Sequence, residues 1–187
     1  VEVFVGLTSG ASVIIAQFYG AKDHKNLSRT LHTAYAFAIV TGAIVGLIGF
    51  WITEKVLIAM KTPSELMADS VIYLHIYFCG MIFNIVYNMG ASILRAVGDS
   101  RRPLYVLIMT CGLNIFFDIM LVVFLKMGVM GVAIATVSCQ GISACMVTWI
   151  LIKGNSLFRL KIREIRFYMA SLQSVLRIGI PAALEAT

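Results

Sequence analysis

Thr110, Asn114 and Asp118 stand four residues apart inside one apolar stretch, PLYVLIMTCGLNIFFDIMLVVFLK, from Pro103 to Lys126. On a helix this spacing puts a hydroxyl, an amide and a carboxylate on one face. Asp118 is the single charge between Arg102 and Lys126. An ionised carboxylate in mid-bilayer costs at least ~2.5 kcal/mol, so it must face protein or a watery cavity and find partners or a proton. Two readings follow: a structural helix–helix hydrogen bond, or a site for a cation or proton. A second polar stripe, Thr136, Gln140 and Ser143 at i, i+4 and i+7, lies on the next apolar run. Further polar side chains inside apolar runs are Gln17, the pair Tyr73 and Tyr77, and the pair Asn84 and Asn88; each can line a cavity or bond a neighbouring helix.

The elements that hold these groups are set by composition. Hydrophobic residues make up 60% of the 187 and charged residues 13%, against roughly 25% charged in a soluble domain, and mean hydropathy is +0.92. The chain therefore reads as an all-α, polytopic transmembrane helix bundle. Uncharged runs follow Glu2, then cover 30–53 and 70–94, then the Pro103 stretch, then 127–152. Each suits the roughly 20 residues a helix needs to cross the hydrocarbon. Residues 1–152 are thus five predicted transmembrane helices, 153–177 a basic amphipathic connector at the membrane surface, and 178–187 the start of another helix with Pro181 and Glu185. Thr62–Glu65 reads as a capping box with Pro63 at the first helical position, and His32 as an interfacial residue.

The net charge of +6 does not indicate nucleic acid, because the basic residues lie between apolar runs. If the runs alternate across the bilayer, one side holds Lys22, Lys25, Arg29, Arg95, Arg101, Arg102, Lys153, Arg159, Lys161, Arg163, Arg166 and Arg177. The other holds Lys55, Lys61 and Lys126. The positive-inside rule makes segments 22–29, 95–102 and 153–177 cytoplasmic, in a multi-pass protein of the cell membrane. Cys79, Cys111, Cys139 and Cys145 all sit in apolar runs without metal-ligand spacing and read as small buried hydrophobes. Position 1 is Val and the last apolar run stops at Thr187, so the chain reads as a fragment cut within helices at both ends.

GLTSGASVIIAQFYGAKD, YLHIYFCGMIFNIVYNMGASILRAVGDSRRP, LNIFFD and GVMGVAIATV occur in that order, and the combination resembles the multidrug and toxic compound extrusion (MATE) transporters. The resemblance spans the chain, from the family's second helix to the start of its seventh, a MATE-like N-lobe. It implies cation-coupled (Na⁺ or H⁺) antiport of small organic, often cationic molecules by alternating access, with no cofactor and no enzyme activity. The lipid bilayer, the first helix and the C-terminal lobe of the same transporter would be its partners. The family's N-lobe ion site falls on Asn114, Asp118 and Thr136; no role is carried over to Glu185. Amide and hydroxyl oxygens beside a carboxylate suit Na⁺, whereas a desolvated Asp alone can carry a proton. Thr136 lies ten residues beyond Lys126 and Asp118 eight before it, so at ~1.5 Å per residue their depths differ by a few ångströms. A related flippase for lipid-linked sugars is the alternative transporter reading. An intramembrane aspartyl protease would need two close carboxylates, and only Asp118 lies deep in a complete run.

The charge count fixes an expected orientation. With native cysteines replaced, single cysteines at residues 22–26 and 100–102 should be protected from impermeant thiol reagents in intact cells. One at residues 62–65 should label readily, and the reversed pattern would overturn the assignment.

Overall fold

Hydrocarbon offers the backbone no hydrogen bonds, so a chain this apolar must bond itself as helix. The computed structural model describes residues 2–154, 159–161, 165, 168–169, 171–175, 177 and 181, with side chains from residue 8 onward. Its helices are α1 (Glu2–Gly20), α2 (His24–Ala59), α3 (Ser64–Cys79), α4 (Met81–Ala96), α5 (Arg101–Asp118), a π-helical turn (Ile119–Phe124) and α6 (Gly128–Ile152). Three helices, namely α2, α5 with its π turn, and α6, are each long and apolar enough to cross a membrane, and α3 with α4 forms a fourth, bent, span. Glu185, the other expected features of 178–187 apart from Pro181, and the connector's Leu157, Ile162, Arg163 and Arg166 lie outside the described residues.

The uncharged run 70–94, expected as one helix, is broken at Gly80 and bent by 45°. The Gly80 N–H reaches both the Ile76 and Tyr77 carbonyls. A Cβ there would lie 2.5 and 2.6 Å from the methyls of Val137 on α6. The missing side chain at Gly80 is what leaves room for Val137 against the bend. On the opposite side α2 approaches the same break through Gly42 and Gly46. Added Cβ atoms at these positions would stand 2.8 Å from the Ile82 Cα and 2.7 Å from the Phe78 carbonyl oxygen. Small residues at this spacing let backbones meet closely where apolar burial alone gives helices no reason to associate.

Helix α4 is the hub, packed against α1, α2 and α6. Met89, Ile93 and Leu94 are fully enclosed by Ile15, Leu27, Leu31, Val147 and Leu151. Away from this centre the large side chains of α2 and α5 point outward: Leu47, Ile58, Ile108, Phe116 and Phe124 are all exposed, as suits a lipid-facing surface. Trp51 is 79% exposed, as suits an indole at a membrane–water interface.

Four helix ends close in one way. Lys22, Lys61, Gly98 and Lys126 each take a positive φ, of 57°, 55°, 88° and 51°. The residue after each returns an N–H to a carbonyl in the last turn: Asp23 to Phe18, Thr62 to Leu57, Asp99 to Leu94 and Met127 to Leu121. This left-handed closure satisfies carbonyls that a helix end otherwise leaves bare. Asp23 then caps α2, accepting the Asn26 N–H at 3.1 Å and its side-chain amide at 2.7 Å, bonds that hold the Asp23 carboxyl below the usual carboxylate range. The expected capping box at 62–65 is not formed: Pro63 occupies the cap position of α3, Ser64 starts the helix, and no side chain caps it.

His32, read as interfacial, is buried within the protein at 2% exposure. Its Nε2 accepts the Lys161 N–H at 3.0 Å, so the proton sits on Nδ1, which donates to the Ser28 carbonyl at 2.6 Å. Thr33 accepts the Tyr168 N–H at 3.2 Å, and the Arg29 guanidinium lies 5.4 Å from the Tyr168 ring centroid. Leu160 and Val175 join the main core. The described residues of the connector are therefore moored to the start of α2.

The close approach at Gly42 gives a direct test. Gly42→Ala should destabilise the folded protein in detergent by about 1–3 kcal/mol, the usual cost of overpacking. A thermal midpoint equal to the parent's would mean that α2 and Ile82 stand further apart than described.

Candidate functional site

Helix α5 buries little besides Pro103, Val106 and Thr110, so its placement rests on its contact with α6, its main neighbour. That contact carries the polar groups. Asn114 and Asp118 both lie near the buried Cys139 thiol of α6. Both Asn114 and Asp118 are half-buried. Asp118 is the last residue of α5 before the π turn, in which the Leu125 N–H reaches back five residues to the Met120 carbonyl. Single π turns recur at functional sites in helices.

Among the described residues two buried side-chain oxygens lack a hydrogen-bond partner: Asp118 Oδ1 and Gln140 Oε1. One of the two bare acceptors is thus on α5 and the other on α6. A buried polar atom without a partner costs about 1–3 kcal/mol, and more when charged. A bound cation, a proton or an ordered water would each remove the penalty at Asp118.

The remaining predicted residues divide. Thr136 is half-buried on α6, one turn before Gln140. Thr110 is buried and donates to the Val106 carbonyl at 2.9 Å, and Ser143 donates to the Cys139 carbonyl at 2.9 Å; both protons go to their own helices. The Asn88 amide donates to the Asn84 carbonyl at 2.9 Å and its Oδ1 at 3.0 Å, so that pair closes within α4. Tyr73 and Tyr77 stack with centroids 6.2 Å apart. Tyr73 also lines a cavity of about 310 Å³ with Leu57, Asp69, Ser70 and Val129, at the end where α2, α3 and α6 turn. Gln17 is exposed on α1. Among the described residues no three His, Cys, Asp or Glu side chains are grouped to hold a metal.

Sequence reasoning missed two participants. Of the four cysteines read as small buried hydrophobes, Cys139 is buried, with Asn114 and Asp118 near its thiol, whereas Cys79, Cys111 and Cys145 are exposed. The spacing of Cys139, three residues after Thr136 and next to Gln140, was the available signal. Nothing in IMLVVF announces a π turn.

Comparison with known proteins completes the picture. The MatE family profile matches residues 1–120. The chain is 31% identical to the probable multidrug resistance protein YoeA of Bacillus subtilis, covering 97% of the chain and 41% of that protein. It is 28% identical to the probable multidrug resistance protein NorM of Thermotoga maritima, covering 98% and 40%. Among solved structures, a MATE in the bent conformation superposes with a TM-score of 0.91 at 23% identity, covering 98% of this chain and 41% of that one. The chain spans about 40% of the length of the curated relatives it matches.

The α5–α6 contact can be probed chemically. With Cys79, Cys111 and Cys145 changed to Ser, Asn114→Cys should be bridged to Cys139 by Hg²⁺ or by oxidation, removing both free thiols. Two thiols that remain fully titratable under those conditions would place Asn114 elsewhere.

Proposed function

Because this chain belongs to the MatE family, we propose that it is most of the N-terminal lobe of a cation-coupled exporter of small organic, often cationic molecules. The observation that carries the coupling is the bare, buried Asp118 Oδ1. Among the described residues only one other buried side-chain oxygen, Gln140 Oε1, is bare, and a free buried carboxylate oxygen is a place for positive charge. Asp118 supplies the charge; Asn114 and Thr136 supply neutral oxygens around it. Two or three such ligands suit a hard cation; the carboxylate alone suffices for a proton.

Binding of cation or proton neutralises Asp118, and the two charge states of the lobe then favour different packings of α5 on α6. A ligand moves a conformational equilibrium only by its differential affinity for the two states. Export follows if the organic substrate favours the state that the cation disfavours. Alternating access then needs a second lobe to move against this one. Segments 22–29, 95–102 and 153–177 face the cytoplasm in this reading. The names of the relatives speak of multidrug resistance and lend no weight to the flippase alternative.

The reading is tested in the intact protein at matched expression, by drug efflux under an imposed Na⁺ or H⁺ gradient. Asp118→Asn, nearly isosteric, should fold but lose cation-driven export. Asn114→Ala and Thr136→Ala should weaken coupling by less, since each removes a neutral ligand. Wild-type export by Asp118→Asn would return Asp118 to a structural hydrogen-bonding role.

A further inference from the structure

The turn Arg95–Arg102, with its Gly-Asp-Ser-Arg-Arg-Pro run, plays no part in the site between α5 and α6. Gly98 reverses the chain at φ 88°. Asp99 then spends its carboxylate on one partner, accepting the Arg102 N–H at 3.2 Å and pairing with its Nε at 3.1 Å. This fold of the turn opens a cavity of about 710 Å³ lined by Tyr19 from the end of α1, Val97 to Arg102, and Lys153 and Gly154 at the end of α6. Its charged lining is three cations, Arg101, Arg102 and Lys153, against the single carboxylate Asp99. A fourth cation stands at its rim: Arg159 Nε donates to the Ile152 carbonyl at 3.0 Å, beside Lys153. The Ser100 side chain makes no cap bond at the start of α5; the Asp99 carboxylate takes the Arg102 N–H of the first turn instead.

The surroundings of the cavity say what kind of anion it takes. Lys153 Nζ lies 4.2 Å from the centroid of Trp149, which is 57% exposed on the side of α6, so the ammonium is held at the level of a lipid-facing indole. Just past Arg102 on α5, Leu104, Tyr105, Leu107 and Ile108 are all exposed and form an apolar track leading into the membrane. A ligand with a phosphate at the cavity and hydrocarbon along α5 matches both halves. We infer that the cavity is a binding site for the phosphate headgroup of an anionic phospholipid, held by Arg101, Arg102 and Lys153. Basic pockets between transmembrane helices bind anionic headgroups in this way. The guanidiniums present planar donor forks to the phosphate oxygens and the ammonium a point charge. Arg102 is aimed by Asp99, so Arg101 and Lys153 are the two cations free to bind. The inference stands apart from the cation site, which shares none of these residues.

The test is native mass spectrometry of the intact protein in detergent with defined phosphatidylglycerol or phosphatidylcholine. Arg101→Gln with Lys153→Gln should lower phosphatidylglycerol retention roughly tenfold or more and leave phosphatidylcholine retention unchanged. Lys55→Gln with Lys61→Gln, at the other end of the bundle, should change neither. Should the double variant unfold, Arg101→Lys keeps the charge but loses the fork, and should lower retention by a few fold. Equal phosphatidylglycerol retention by parent and folded variants would overturn the site. Displacement of the lipid by millimolar inorganic phosphate would overturn the lipid assignment in favour of a soluble phosphate, whereas failure to displace it supports the lipid.

Discussion

The absence of water from the hydrocarbon governs this structure, because each polar group inside it must find its partner within the chain. The hydroxyls comply locally: Thr33, Thr53, Thr110, Ser143 and Thr148 all bond carbonyls one turn back on their own helices. Others comply across helices, as the Tyr35 hydroxyl does with Thr148. The helix ends comply by left-handed closure, even where the residue is a lysine, for which that conformation costs roughly 1–2 kcal/mol. Against so complete a settlement, the two bare oxygens of Asp118 and Gln140 are informative.

The same constraint explains how the bundle holds. Helices in lipid gain little from burying leucine, so cohesion comes from close backbone approach and from cross-links. Gly42 and Gly46 bring α2 onto the α3–α4 break, Gly80 admits Val137, and α4 collects the contacts of three helices. Helix α5 has almost none of this. It is held chiefly along α6, so the polar contact at Asn114, Cys139 and Asp118 is a large part of what positions it. A change of charge at that contact acts on a helix with few other anchors.

The apolar runs, their alternation and the shared face of Asn114 and Asp118 could be read from the sequence, since each is a matter of counting residues against fixed helical geometry. The basic segments do gather at one end, where Tyr19, Arg101 and Lys153 line one cavity. What escaped were features decided by a neighbour. Within the uncharged run 70–94, the packing of Val137 against Gly80 is what distinguishes the site of the bend. The burial of His32 depends on the connector, distant in sequence, which donates the Lys161 N–H to it. Asn84 and Asn88 are spaced to bond each other or another helix, and the choice depends on packing that spacing does not encode.

The π turn after Asp118 changes the phase of the helix. An α-helix advances 100° per residue, and a turn closed over five residues rather than four absorbs one extra residue. Everything before Ile119 is therefore rotated by about 100° relative to an unbroken helix built backward from Phe124. In that unbroken helix Asp118 would point more than a quarter of a revolution away, in the direction that Phe117 now takes. One surplus residue in the ladder thus decides which neighbours the carboxylate faces.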